Sequence, residues 1–204
     1  MKALLLLSGG IDSPVAGKLM IDQGVELVAA HFSNQPFVDE KAEQKAAELA
    51  KKIGVTKFMV VPHGPQQAEI HKHCNPRYYY VLTRRIMFRT AEKLAKQEGC
   101  EVLITGENLG QVGSQTLTNM SVISRAVTLP ILRPILCNDK IDTIHLAEQY
   151  GTFELSKGPE ICCTLGPEHP ITRAKLVVVE EEEKRIDCAK LVEEAIRTTQ
   201  VVYG

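Results

Sequence analysis

One stretch, Lys2-Ala3-Leu4-Leu5-Leu6-Leu7-Ser8-Gly9-Gly10-Ile11-Asp12-Ser13-Pro14, constrains the fold of this chain more than any other. An apolar run breaks into a small, polar, glycine-bearing turn, which reads as a buried strand, a tight loop and the start of a helix. Gly9 and Gly10 let the backbone turn sharply and bring N–H groups close to an anion, and Ser8 and Ser13 add hydroxyls. Ser13 suits an N-cap and Pro14 the first helical position, so the loop is expected to end on the positive end of a helix dipole. Phosphate belongs at such a place. Asp12 would repel it unless a divalent cation lies between them, so this carboxylate points to Mg²⁺ travelling with a nucleotide.

The alternation continues. Val15 to Gln23 reads as a helix closed by Gly24, and Val25 to Phe32 as a second buried strand, a right-handed parallel crossover. Val38 to Ile53 carries helical spacing and stops at Gly54 before a third strand, Lys57 to Val61. Pro62 to Pro76, punctuated by prolines and histidines, predicts a lid or loop with one short helix around Gln67 to Lys72. A long helix is expected from Tyr79 to Glu98, then a fourth strand, Glu101 to Thr105, a polar turn to Thr116, a short fifth strand within Thr128 to Pro134, and a helix from Lys140 to Tyr150. The tail from Leu176 to Gln200 is charged and helical in pattern, with Ile186, Ala189, Val192 and Ile196 as a packing stripe and Glu180 to Glu183 as a solvated face. The fold class is therefore α/β, a three-layer parallel sheet with helices on both faces, and 204 residues suffice for one well-buried domain.

Basic and acidic residues nearly cancel, 24 against 25, so no global positive field announces a nucleic-acid partner. The apolar start is too short for a signal peptide, and no other stretch approaches membrane-spanning length, so no membrane partner is expected. Six irregularly spaced cysteines fit a cytoplasmic protein better than a disulfide scaffold.

Several residues could carry chemistry. His31 and Phe32 close the second strand beside the loop, where a backbone edge would meet an adenine; a lone histidine is also readily a satisfied core residue. Arg85 and Arg89 share a helix face with Arg84 beside them, suited to phosphate or to surface ion pairs. In the second polar turn, Gly106 would allow close approach to a ligand, Glu107 supplies a carboxylate, and Gln111 and Gln115 stand four apart. Two such turns at the carboxyl ends of parallel strands point to one crevice at a topological switch point. Cys162-Cys163 lies in a glycine- and proline-rich loop between Lys157 and His169, as a reactive thiol or as a buried inert pair. His71, His73 and Cys74 form a compact trio of metal-ligand types without a second cluster at zinc-type spacing, while Cys100, Cys137 and Cys188 read as packing.

The Ser-Gly-Gly-x-Asp-Ser spelling resembles the PP-loop of ATP pyrophosphatases, which cleave ATP between its α and β phosphates, and no Walker Gly-Lys-Ser/Thr follows. Together with Arg84-Arg85-Ile86-Met87, the string Thr105-Gly106-Glu107-x-x-Gly110-Gln111-x-x-Ser114-Gln115-Thr116, Leu132-Arg133-Pro134 and Cys162-Cys163, it resembles the tRNA 4-thiouridine synthetase family, the ThiI-type tRNA sulfurtransferases. The resemblance implies an adenine nucleotide alpha hydrolase-like fold over residues 1–175, with residues 176–204 as a helical tail packed on the same domain. It implies ATP contacts from Leu6, Leu7, His31, Phe32, Arg84, Gly106 and Gln115, and a pyrophosphate cradle with Mg²⁺ from Ser8, Gly9, Gly10, Asp12 and Ser13. Cys163 matches the family's cysteine that accepts or resolves the transferred sulfur. The implied reaction adenylates a uridine carbonyl, releases pyrophosphate, and replaces the oxygen with sulfur to give 4-thiouridine.

The departures also matter. No N-terminal RNA-binding (THUMP) module and no rhodanese domain are recognisable, so tRNA would be met through a separate RNA-binding protein, with sulfur from a donor such as a cysteine desulfurase. Tyr80-Val81-Leu82-Thr83 stands where some archaeal relatives carry the Cys-x-x-Cys of an iron–sulfur cluster. Other readings keep the nucleotide and change the outcome: adenylation of a small metabolite or a carrier protein, or a non-catalytic ATP/AMP sensor. A homodimer is compatible with the sequence, which does not fix the oligomeric state.

Overall fold

The computed structural model describes residues 1–110, 115–157 and 165–204. Its centre is one six-stranded sheet in the order β5-β4-β1-β2-β3-β6, formed by β1 (Lys2–Leu6), β2 (Glu26–Ser33), β3 (Lys57–Pro62), β4 (Val102–Thr105), β5 (Ile131–Leu132) and β6 (Gln200–Tyr203). All neighbours are parallel except β6, which runs antiparallel to β3. The strands read as unbroken apolar runs because both faces are covered. Alternate residues feed two cores. Leu4, Val28, Met59, Val61 and Leu103 face one side, and Ala3, Leu5, Leu27, Phe58 and Ile104 the other.

The first side is roofed by α3 (Gly64–His73), α4 (Tyr79–Gln97), α5 (Leu117–Ser124), α8 (Leu176–Glu183) and α9 (Cys188–Arg197). The second is roofed by α1 (Asp12–Asp22), α2 (Lys41–Ile53), α6 (Lys140–Gln149) and the short α7 (Phe153–Ser156). Gly54 ends α2 at φ +91°, a conformation glycine reaches without Cβ strain, and its N–H returns to Lys51 O. No helix among the described residues is long and apolar enough to cross a membrane.

The polypeptide leaves β1 between two parallel neighbours, β2 on one side and β4 on the other, with Leu6 in register with both Ala30 and Thr105. The sheet order reverses there, and the crevice opens beyond the carboxyl ends of β1 and β4.

Three expectations need correction. The tail is helical only in part: it forms α8 and α9 and then supplies a strand, β6, whose Tyr203 ring stacks on Phe58 at 6.0 Å. Glu180 to Glu183 is not a solvated face throughout, because Glu182 is buried and Glu183 is the acceptor for two arginines of α4. The helix α5 lies where no element was expected, and it is started by Thr116, whose hydroxyl accepts from Asn119 N–H at 3.2 Å.

Candidate functional site

The loop after β1 is braced by its own hydroxyls. Ser13 Oγ accepts from Ser8 N–H at 2.8 Å and lies 2.9 Å from Ser8 Oγ, which in turn accepts from Gly10 N–H at 3.2 Å. Ser13 is thus not the N-cap: α1 begins at Asp12 after Ile11, and the Ser13 side chain bends back into the loop because nearer donors lie there. Pro14 falls inside the first turn, where its missing N–H costs no intrahelical bond. Neither Gly9 nor Gly10 takes a positive φ. Their contribution is a bare backbone, and a Cβ at Gly9 would lie 3.4 Å from the Lys45 side chain. The N–H groups of Gly9 and Ile11 meet no acceptor among the described residues.

Asp12 sits in the first turn of α1, where the helix dipole favours a carboxylate, with Lys140 Nζ 3.8 Å from its Oδ1. Lys45 of α2 reaches over the loop and donates to Ser156 O at 2.7 Å. These two lysines were not singled out in the sequence. Lys140 had a legible signal, for a lysine in the first turn of α6 opposes the helix dipole and implies a use elsewhere.

On the β2 side, Leu7 N–H donates to Ala30 O at 3.0 Å, and the His31 ring meets Leu7 O through Nδ1, also at 3.0 Å. Burial holds the His31 pKa below its ordinary value, against the opposing pull of the Leu7 carbonyl and of Glu43. The ring is therefore neutral near pH 7, with its proton on Nδ1. His31 is a satisfied buried histidine that pins the strand end. Phe32 is buried too, its ring meeting His63 edge-on at 5.6 Å, so its backbone rather than its ring faces the crevice rim.

On the β4 side, Gly106 is required by a close approach, though to backbone: a Cβ there would fall 2.5 Å from Ser13 N and 2.7 Å from Asp12 C. The two turns touch. Glu107, only 2% exposed, accepts from Arg84 Nη1 at 2.6 Å and from Arg133 Nε at 2.7 Å. Arg133 continues to Ser124 Oγ at 2.8 Å. Gln115 is buried and its Oε1 accepts from Asn108 N–H at 3.3 Å. Ser8, Asp12, Ser13, Gly106, Glu107 and Arg84 are thereby brought to one crevice. Arg85 and Arg89 are not: both grip Glu183 in α8, away from the crevice, and burial outweighed by these two arginines leaves the Glu183 carboxyl below its usual range. A separate groove of about 420 Å³, lined by Arg89, Cys188 and Val192 among others, also lies apart from the loop.

Gln111, Cys162 and Cys163 lie outside the described residues. The chain on either side of the cysteines is fixed close to the crevice. Before them, Ser156 O takes Lys45. After them, Gly166 packs on Tyr80, Ile171 N–H donates to Arg77 O at 2.8 Å, and Asn119 binds both Ile171 O and Ala174 N–H. His71, His73 and Cys74 do not converge: His71 meets the Tyr79 ring, His73 pairs with Glu69, and buried Cys74 donates to Glu182 O, its thiol pushed up to about 11 by burial. Among the described residues no group of three or more His, Cys, Asp or Glu side chains is placed to hold a metal. Cys100 is buried as packing, whereas Cys137 is exposed, a departure from expectation because it ends a surface turn ahead of α6.

A doubly covered parallel sheet with a serine-braced loop after its central strand and a second polar turn at the switch point defines the PP-loop ATP pyrophosphatase fold. Known structures bear this out. An NMN synthetase from Francisella tularensis shares the fold over 96% of this chain and 83% of its own, with a TM-score of 0.59 at 16% identity. The profile described as Thiamine biosynthesis protein (ThiI) matches residues 1–188, and the chain belongs to that family. A "Probable tRNA sulfurtransferase" of Brevibacillus brevis is 43% identical over 206 residues, 98% of this chain and 52% of the relative. A structure of a 4-thiouridine synthetase–RNA complex with bound ATP superposes with a TM-score of 0.93 at 37% identity, covering 98% of this chain and 54% of that one. The chain spans about half the length of the curated relatives it matches.

Proposed function

We propose that this chain is the ATP-using half of a tRNA-thiolating reaction: it adenylates the C4 carbonyl of a uridine and lets sulfur displace AMP. The observation that carries this reading is the contact of two polar turns, Ser8 to Ser13 and Gly106 to Gln115, in a chain similar throughout to a 4-thiouridine synthetase with bound ATP. The crevice would bind ATP with its adenine along the Leu6, Leu7, His31 and Phe32 strand ends and its phosphates on the loop. Ser8 and Ser13 hold the loop in shape before ligand arrives, so little reorganisation is needed when charge develops. The N–H groups of Gly9 and Ile11, which meet no acceptor among the described residues, and the side chains of Lys45 and Lys140 supply positive potential. Arg84, positioned by Glu107, adds a cation on the β4 side.

The residues present fit Mg²⁺, which is held by one or two carboxylates plus substrate phosphates, with Asp12 as the carboxylate. That ion would neutralise phosphate charge. In the reaction, the uridine O4 attacks the α-phosphorus and pyrophosphate leaves. The outer sulfur of a persulfide formed on Cys163 by the sulfur donor then attacks C4, AMP departs with the former carbonyl oxygen, and a thiol reductant cleaves the remaining S–S bond to release the 4-thiouridine and the Cys163 thiol. The family motif and the anchoring of the flanking segments beside the crevice support Cys163 in this role. tRNA would be presented by an RNA-binding module or partner and sulfur by a donor such as a cysteine desulfurase.

The test is pyrophosphate release and 4-thiouridine formation with ATP, Mg²⁺, unmodified tRNA, the RNA-binding partner and a sulfur donor. Native protein should do both. Asp12→Asn should lose both, and Cys163→Ala should keep tRNA-stimulated pyrophosphate release while losing sulfur incorporation. Tight AMP binding with no pyrophosphate release under any acceptor would replace this reading with that of a nucleotide sensor.

A further inference from the structure

We propose that Arg77, Arg173 and Lys175 form a docking surface for RNA phosphates beside the nucleotide crevice. The inference rests on the tRNA reading above and names where on this chain the RNA backbone runs.

The arginines divide into two groups. Arg84, Arg85, Arg89, Arg133, Arg185 and Arg197 each take a carboxylate. Arg77, Arg125 and Arg173 take none among the described residues, and neither does Lys175. All four side chains are exposed. In a chain with as many acids as bases, unpaired guanidinium groups are a local choice rather than a consequence of composition.

The backbone places three of them together. Arg77 O accepts from Ile171 N–H at 2.8 Å, so Arg173 follows two residues after the contact and Lys175 four, at most about 7 and 14 Å along a chain that bends at Thr172 and Arg173. Asn119 fixes the intervening backbone to α5 through Ile171 O at 2.8 Å and Ala174 N–H at 2.9 Å, and Thr116 Oγ1 adds a bond to Thr172 O at 2.7 Å. The cations therefore stand on a braced segment. Arg125 lies at the far end of α5, roughly 9 Å beyond Asn119, and would extend the track.

This face adjoins the proposed chemistry. Thr116 directly follows Gln115 of the second polar turn, and Tyr80, which Gly166 touches, lies one helical turn before Arg84. Half-buried Tyr78 and Tyr80 add ring surface next to Arg77, the mixture of cations and planar groups that single-stranded RNA uses. Glu168 is the one acid between Leu165 and Lys175, so the segment keeps a positive balance. An acidic protein segment would use the charges but not the rings, and RNA is the occupant favoured.

The test compares native protein with Arg77→Ala/Arg173→Ala/Lys175→Ala, measuring anisotropy of a labelled, unmodified tRNA transcript over a range of salt, with ATP affinity measured in parallel. The triple variant should bind tRNA about tenfold more weakly near 0.1 M salt and lose roughly two units of salt slope, at about 0.7 per phosphate contact, with ATP affinity unchanged. Arg77→Lys/Arg173→Lys should restore most of the slope. Equal binding and slope in native and triple variant would overturn the surface while leaving the thiolation reading intact. Loss of tRNA binding in the variant, together with no tRNA-stimulated pyrophosphate release by the native chain, would overturn that reading and keep the surface. Polyglutamate competing as strongly as tRNA would overturn RNA in favour of an acidic protein.

Discussion

Gly106 joins the two halves of the crevice because its missing side chain lets the end of β4 rest on the backbone of Asp12 and Ser13. The atoms that an added methyl would meet are backbone nitrogen and carbon at 2.5 to 2.7 Å, and these cannot rotate away as a side chain would. Gly106→Ala should therefore push the Ser8 to Ser13 loop off its position. The expected cost is about 1–3 kcal/mol of stability, as for overpacking, and at least about tenfold weaker ATP binding through the displaced loop. Calorimetric titration with ATP beside urea unfolding separates the two effects, and unchanged affinity at lowered stability would show that the contact is structural alone. Ser8 to Ser13 was legible in the sequence because phosphate loops depend on residues adjacent in the chain. The role of Glu107 was not: its partner Arg84 lies 23 residues away and Arg133 lies 26 away, and nothing in the local spelling pairs them.

The same limit shows at the level of elements. Strands β1 to β4 and helices α2, α4 and α6 follow from apolar runs and helical periods closed by glycine or by short polar turns. Helix α5, Leu-Thr-Asn-Met-Ser-Val-Ile-Ser, is poor in strong helix formers and exists because Thr116 caps it and Asn119 binds the segment after the cysteines. Helix α8 reads as an acidic surface helix until Arg85 and Arg89 arrive from 98 and 94 residues away. Both guanidiniums bind Glu183, and Arg85, 2% exposed, also donates to Val122 O. Removing the carboxylate leaves one buried cation and one partly buried cation facing each other. Glu183→Ala should cost about 3 kcal/mol, nearer the lower end for buried pairs because Arg89 retains solvent access. In a double-mutant cycle, Arg85→Met combined with Glu183→Leu should lose much less than the two single changes summed. Additive losses would mean that α8 is held by its apolar contacts alone.

For the whole molecule, acid sensitivity should begin near neutral pH rather than at carboxylate pH. His63, fully enclosed at the carboxyl end of β3, is pushed down from 6.5 to about 3 by burial, and His31 moves in the same direction. The folded chain keeps these rings neutral while the unfolded chain protonates them below 6.5, so the unfolded state binds more protons across that window. Their contribution to stability is full above pH 6.5 and is lost progressively as pH falls, for His63 down to about pH 3, at up to about 1.4 kcal/mol per pH unit for each fully linked group. The lowered carboxylates Glu92 and Glu183 act in a lower window, losing their contribution as pH falls below the ordinary value of 4.5 and through their folded values. Between pH 6.5 and 5 the histidines are therefore the dominant source. Because His63 Nε2 has no partner among the described residues, His63→Phe removes the titration without breaking a hydrogen bond at that atom. Unfolding free energies from denaturant titrations between pH 7 and 5 should fall less steeply in the variant, by about 1 kcal/mol per pH unit, whatever its stability at pH 7. Parallel profiles for the two proteins would show that the buried ring gains a proton partner in solution and that the enclosure of the β3 end is looser than its geometry implies.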